Sequence, residues 1–384
     1  MFYDDYTQFL AIPGPVAMHP RVYEAMNRPL YGHRTDHFRQ VYVDCVEKFK
    51  PTINTEQEVY FLAGSGSLGL HAAITNLVKP GDMVVNLVNG KFGERVEQIT
   101  SRFTDNHHTV KVDYGQAIKP EMVKEALENN PETTLVTITH NETSTGVLNP
   151  LPEISKIVHD HGALLMADCI TSAGGDLVEM DKWQIDFFVS GSQKCYGVPP
   201  GLAFVAFSEA AAEKMREVPR GQDFYSDLLM YREKLSKAPD TPFTPAVSLM
   251  YGLQASLDLI HEEGVENRIK RHRLMGKAYR NALEALGIEL FAEEGYRSNT
   301  VTSAVIPKNP KEFIDACKRF GILVAGGQGS LKGKIWRVGH MNTVGPREIL
   351  MITSVVELAL KQSGADIELG KGVQAALETL NKAY

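Results

Sequence analysis

Three short stretches carry side chains whose types and spacing could do chemistry. The first is Gly64-Ser65-Gly66-Ser67-Leu68-Gly69, a GxGxxG run between an apolar stretch and a helical pattern. Such a turn brings bare backbone and a helix N-terminus to a phosphate. A dinucleotide site also needs an acid about 20 residues further on, to hold a ribose. The next apolar stretch offers Asn86 and Asn89 instead, with no acid before Glu94. The dinucleotide reading weakens; a phosphate cradle and a plain strand–helix turn both remain. The second stretch is Ser190-Gly191-Ser192-Gln193-Lys194-Cys195. In isolation Lys194 reads as a solvated loop residue. At the carboxyl edge of a buried sheet its charge is costly to place without a purpose, and a lysine of lowered pKa forms a Schiff base with a carbonyl. The third is Met166-Ala167-Asp168, an acid closing an apolar run. A lone aspartate there usually caps a turn. Asp168 and Lys194 stand 26 residues apart, one βα-type step, so both can reach the edge where open α/β sheets bind ligands. Acid, lysine and phosphate cradle on one edge describe a site for pyridoxal phosphate. The lysine takes the aldehyde, the acid pairs with the protonated pyridine nitrogen, and helix-terminal N–H groups hold the phosphate.

The elements that must position these groups are visible as seven apolar runs, at 58–63, 83–88, 108–114, 134–140, 163–169, 186–192 and 202–208. Helical patterns lie between most of them. Several runs are apolar on successive residues rather than alternating, which predicts strands buried on both faces of a mainly parallel, seven-stranded sheet. The fold class is therefore α/β. Beyond 208 a loop-rich stretch leads to one long charged helix near 247–286, then shorter strands and two more helices. That change predicts a smaller α+β domain. The expected division is an N-terminal arm at 1–19, a large domain at 20–250 and a small domain at 251–384.

Composition removes other classes. The 384 residues carry a formal net charge of −7 with no basic block, which speaks against nucleic acid and anionic membranes as partners. No apolar run approaches the roughly 20 residues of a membrane span. The N-terminus is acidic and soon broken by proline, unlike a targeting peptide, and a cytoplasmic protein is expected. Four scattered cysteines without a CxxC pair make no disulfide framework. His107-His108 and His159-Asp160-His161 assemble no set of four ligands, so no metal is expected. Asn141-Glu142-Thr143 matches a glycosylation sequon but lacks a secretory context.

The ordered stretches PGPVAMHP, AGSGSLGLHAAI, NGKFGERV, HNETSTGVLNP, ADCITSAGG, SGSQKCYGVPPG, TPFTPAVSLMYGL and GGQGSLKGKIWRVGHM resemble class V, fold-type I pyridoxal-phosphate aminotransferases. The likeness is to the serine–pyruvate/alanine–glyoxylate branch, and it runs nearly end to end. It implies that Lys194 is the Schiff-base lysine and mover of the substrate α-proton, and that Asp168 is the pyridine partner. It implies a phosphate turn at Ser65, Gly66 and Ser67 with Gln193 as a further contact, and a Thr143 hydroxyl beside the phenolic oxygen. Ile170 would pack beneath the ring, and Arg337 would grip the substrate α-carboxylate, which suits a bidentate guanidinium. Two positions depart from the branch. A tryptophan commonly stacks over the ring, where this sequence offers Phe92. A tyrosine expected from the partner subunit at the phosphate is Thr241 here, whereas Thr244 is retained. The resemblance also implies a homodimer with active sites at the subunit interface. Arg34 is open between a substrate contact and a structural ion pair. The implied reaction is ping-pong transamination from a small amino acid (serine or alanine) to a 2-oxo acid (glyoxylate or pyruvate). An aspartate-type aminotransferase and a β-eliminating lyase such as a cysteine desulfurase stand as alternatives. The lyase needs a mobile nucleophilic cysteine, whereas Cys45 and Cys317 fall in helical patterns.

Overall fold

The structure is a computed structural model that describes residues 7–219 and 223–383. Strand β1 (Phe9–Leu10) precedes helices α1 (Pro20–Met26) and α2 (Asp36–Phe49). The main sheet follows, with β2 (Val59–Ala63), α3 (Gly66–Leu77), β3 (Met83–Val88), α4 (Lys91–Thr100), β4 (His107–Lys111), α5 (Pro120–Asn129) and β5 (Thr133–Thr139). Past a small hairpin, β6 (Asn141–Glu142) and β7 (Val147–Leu148), come α6 (Leu151–His161), β8 (Leu164–Asp168), β9 (Phe187–Gly191) and β10 (Leu202–Phe207). Helices α7 (Glu209–Glu217), α8 (Leu228–Lys237), α9 (Val247–Glu263) and α10 (Val265–Ala285) lead to the last part. That part holds β11 (Val301–Val305), α11 (Pro310–Arg319), β12 (Ile322–Leu323), β13 (Ala325–Gly326), β14 (Ile335–Gly339), α12 (Pro346–Gln362) and α13 (Lys371–Asn381).

The seven strands of the main sheet lie in the order β2-β10-β9-β8-β5-β3-β4. All contacts are parallel except those of β10, which opposes both of its neighbours. Because β10 opposes β2 as well as β9, β2 runs with the other five. Ala63, Val88, Lys111, Thr139, Asp168 and Gly191 therefore end on one edge, which brings the three chemical stretches together. Both sheet faces are covered, as the unbroken apolar runs require. On one face Phe49 stacks on Tyr196 at 4.8 Å and meets Phe204 at 5.0 Å; on the other, Leu70 and Ile74 of α3 pack on Val189 and Val205. A separate core gathers Tyr279, Phe313, Trp336, Ile352 and Val356 beneath the antiparallel sheet β11-β14-β13. The N-terminal segment joins that core, since β1 pairs with β12 and Gly339 donates to the Ala11 carbonyl.

Three expectations need correction. The helix near 247–286 is two helices, α9 and α10, parted at Gly264, whose φ of +83° favours glycine. The connection from β8 to β9 carries turns and no helix, so Asp168, which ends β8, and Lys194, which follows the adjacent β9, have no full βα unit between them. Strand β4 ends at Lys111, short of 114, because it is an edge strand paired only with β3. The buried side of α9 (Met250, Leu253, Leu257, Ile260) belongs to the first core, whereas Met275, Tyr279 and Leu283 of α10 belong to the second. We propose Gly264, rather than residue 250, as the division between the two bodies.

Candidate active site

Lys194 follows β9 and is only 9% exposed. Its Nζ donates to the Pro13 carbonyl at 2.5 Å, so the N-terminal segment forms one wall of the site. The approach is close: a Cβ on Gly14, where φ is +119°, would stand 2.7 Å from that nitrogen. Burial is the main cause pulling the Lys194 ammonium down to about 8; Arg337 and Arg95 act the same way, while Cys195 and Asp168 oppose. A lysine so placed is partly neutral near pH 8 and nucleophilic toward a carbonyl.

Asp168 ends the adjacent strand and is buried. One carboxylate oxygen accepts the Ile170 amide at 2.9 Å. Burial is the main cause pushing this carboxyl up to about 7, with Glu142 acting the same way while the Ile170 amide, Arg95 and Lys194 oppose. Among the described residues it has no ion-pair partner, the state of an acid waiting for a cation. Ile170 turns toward the cradle, and a Cβ on Gly66 would lie 2.6 Å from its Cδ1. The cradle is open at its polar end. Ser65 caps α3 with its backbone extended and makes no side-chain capping bond, so the first N–H groups of the helix face outward. Beside it Gln193 holds a buried side-chain oxygen without a partner. Rotating that amide by half a turn presents an N–H donor instead.

Opposite the cradle, Arg337 of β14 is 5% exposed and bonded only to backbone carbonyls, to Thr143 at 3.0 Å and to Gly326 at 2.8 Å and 3.2 Å. Burial lowers its pKa, and Glu142 counters. Among the described residues no carboxylate pairs with this buried guanidinium, which suits it to a substrate carboxylate. The Thr143 hydroxyl lies 2.6 Å from that of Thr171. Phe92 occupies the first turn of α4, half-buried.

Sequence reasoning missed two residues here. Glu142 is buried and caps α4 from a distance: it accepts the Phe92 and Gly93 amides at 3.0 Å each and the Ser144 amide at 3.0 Å, and Ser144 Oγ accepts the Lys91 amide. A Cβ on Gly90 would collide with its carboxyl group. Segment 142–144 thus orients Phe92, Thr143 and Arg337 together. Its placement in HNETSTG, beside Thr143, was the available signal. The other is Arg95, whose Nη1 donates to Ser67 Oγ at 3.0 Å; its spacing of three from Phe92 on a helix was the signal.

Other expected groups are placed elsewhere. Arg34 is 57% exposed at its side chain and pairs with Asp240 at 3.8 Å, away from the contacts of Lys194, Asp168 and Arg337. The Thr241 hydroxyl donates to the Phe243 carbonyl at 2.6 Å, and Thr244 is half-buried on the same loop. All four cysteines are buried, with burial raising each thiol pKa, and Cys45 and Cys317 lie within α2 and α11. Among the described residues no three His, Cys, Asp or Glu side chains converge on a metal, and no helix is long and apolar enough to cross a membrane.

The donor set fits pyridoxal phosphate: an open helix terminus and an unpartnered amide for phosphate, an unpaired acid for a pyridinium, and a depressed lysine for an aldehyde. The comparisons agree. Residues 19–343 match the model of the aminotransferase class-V family. The chain is 44% identical to an uncharacterised aminotransferase of Methanocaldococcus jannaschii, with 99% of each chain covered. It is 38% identical to a protein of Synechococcus named as the small subunit of a soluble hydrogenase, over 97% of this chain and 98% of that one. A serine–glyoxylate aminotransferase of Arabidopsis thaliana is 33% identical, covering 96% and 94%. The crystal structure of pyridoxamine–pyruvate aminotransferase from Mesorhizobium loti superimposes with a TM-score of 0.96 at 30% identity, covering 100% of both chains. The chain belongs to the class V aminotransferases, fold-type I enzymes that depend on pyridoxal phosphate.

Proposed function

We propose that the enzyme moves the amino group of a small neutral amino acid, serine or alanine, to glyoxylate or pyruvate in two half-reactions. The observation that carries the reading is the set of Lys194, Asp168 and Arg337, one amine, one acid and one guanidinium, all buried and near enough that Asp168 and Arg337 both act on the Lys194 ammonium. Bound pyridoxal phosphate supplies an aldehyde that carries the amino group and a ring that draws electrons from the substrate α-carbon. Arg337 holds the substrate carboxylate and fixes the α-carbon relative to Lys194. Lys194 would hold the aldehyde and then carry the substrate α-proton on Nζ; Pro13 O and the Gly14 backbone limit where that nitrogen can swing. Asp168 would keep the ring nitrogen protonated, Phe92 and Ile170 would pack on the ring, and Thr143 would meet the phenolic oxygen. Ser65, Gly66, Ser67 and Gln193 bind the phosphate.

A single cation at the carboxylate end favours monocarboxylic donors, and the name of the Arabidopsis relative supports glyoxylate as acceptor. We further propose a cytoplasmic homodimer. Leu30, Tyr31 and Phe224 are large apolar side chains left 69%, 51% and 71% exposed, which suits burial against a second copy. Thr241 and Thr244 would then approach the partner's cradle. The test is a panel of amino acids mixed with the loaded enzyme, scored by bleaching of the visible cofactor band and by the 2-oxo acid released. Serine and alanine are expected to react fastest; reaction with none of the panel would sink the reading.

A further inference from the structure

Arg95 is the fifth residue of α4, three residues after Phe92 and on the same helix face, and it is exposed. Its guanidinium carbon stands 5.0 Å above the Phe92 ring, and its Nη1 reaches Ser67 at the mouth of the cradle. The nearby acids are engaged elsewhere. Glu94 pairs with Lys91 at 2.6 Å and with Lys111 at 3.0 Å, and Glu142 accepts backbone amides. Among the described residues no carboxylate pairs with Arg95. Its charge nevertheless acts on both Asp168 and Lys194, so it belongs to the electrostatics of this pocket. This exposed guanidinium sits over an aromatic ring, touches a neutral hydroxyl and, among the described residues, pairs with no carboxylate, so it is free to take an anion at the cradle. The cradle beside it offers neutral donors only: Ser65, the Gly66 amide, Ser67 and Gln193. Thr241, which stands where the branch carries a tyrosine, donates its hydroxyl to its own loop.

We propose that Arg95 binds the phosphate of pyridoxal phosphate, adding a charged contact from this chain to the neutral donors of the cradle. One helical turn then serves both ends of the cofactor, with Phe92 on the ring and Arg95 on the phosphate. The inference rests on the cradle assignment made above, and the test separates the two. Cofactor-stripped wild type, Arg95→Gln and Arg95→Lys are titrated with pyridoxal phosphate and with pyridoxal, which lacks the phosphate, reading the visible absorbance. Arg95→Gln should weaken pyridoxal phosphate by about tenfold to a hundredfold, the worth of one charge-assisted hydrogen bond. Pyridoxal should change by less than about threefold, and Arg95→Lys should fall between, since a point charge replaces a planar fork. Equal weakening of both ligands would overturn the proposal in favour of a role through Phe92. Unchanged affinity for both, with the KM for aspartate raised, would overturn it in favour of a substrate-carboxylate site. A wild type that binds neither ligand saturably would instead overturn the cradle assignment itself.

Discussion

Replacing Asp168 with asparagine should stabilise the cofactor-free chain at alkaline pH while crippling the reaction. Burial raises this carboxyl from the ordinary 3.8 to about 7 in the folded chain. Between those two values the folded chain holds the proton more tightly than the unfolded one, so stability falls as pH rises from about 4 to about 7 and is flat above. Three decades of proton affinity at 1.36 kcal/mol each set an upper bound of about 4 kcal/mol lost by pH 8. Asparagine has no charge to bury and keeps an oxygen for the Ile170 amide, so it removes the penalty. Denaturant melts of stripped wild type and Asp168→Asn at pH 5 and pH 8 measure this. The variant should gain roughly 2–4 kcal/mol over wild type at pH 8 and clearly less at pH 5. Its turnover with cofactor should drop by several orders of magnitude, because a neutral partner no longer favours the protonated ring nitrogen. A variant that is less stable at pH 8, or whose advantage does not grow with pH, would refute the burial argument; near-normal turnover would refute the role.

Two other substitutions probe the walls of the site. Glu142→Ala leaves the Phe92 and Gly93 amides without their acceptor and should cost about 2–3 kcal/mol in denaturant melts, with Glu142→Gln costing less; equal effects from the two variants would argue against the capping role. Arg34→Ala removes only an exposed pair with Asp240, so kcat/KM for alanine and for aspartate should each change by less than about threefold. A loss of about thirtyfold confined to aspartate, the size of a desolvated carboxylate–arginine pair, would bring Arg34 back to the site.

The parts of the fold read from the sequence are those that hydrophobic pattern controls. Runs such as Met83–Val88, apolar at all but Asn86, read as strands covered on both faces, and that is where they lie. Strand direction leaves no such mark, so the reversal of β10 was invisible. Gly264 sits inside an unbroken helical period, and its effect shows only once α9 and α10 commit to different cores. At the site, Lys194, Asp168 and the cradle were legible because each closes or follows a strand on one edge. Glu142 was not, because its role is to satisfy amides some fifty residues earlier in the chain. Arg34 was left open by type and spacing alone; in the structure it is mostly exposed, 3.8 Å from an Asp240 that Arg39 holds at 2.9 Å.

The central claim is that Lys194 carries the cofactor and yields it to an amino-acid substrate. Borohydride reduction of the loaded enzyme, followed by digestion and mass spectrometry, tests it most directly. One pyridoxyl-phosphate adduct is expected, on the peptide containing Lys194, that disappears when the enzyme is first incubated with alanine or serine and returns after pyruvate or glyoxylate is added. An adduct on another lysine, no adduct at all, or one that persists through those substrates would contradict it.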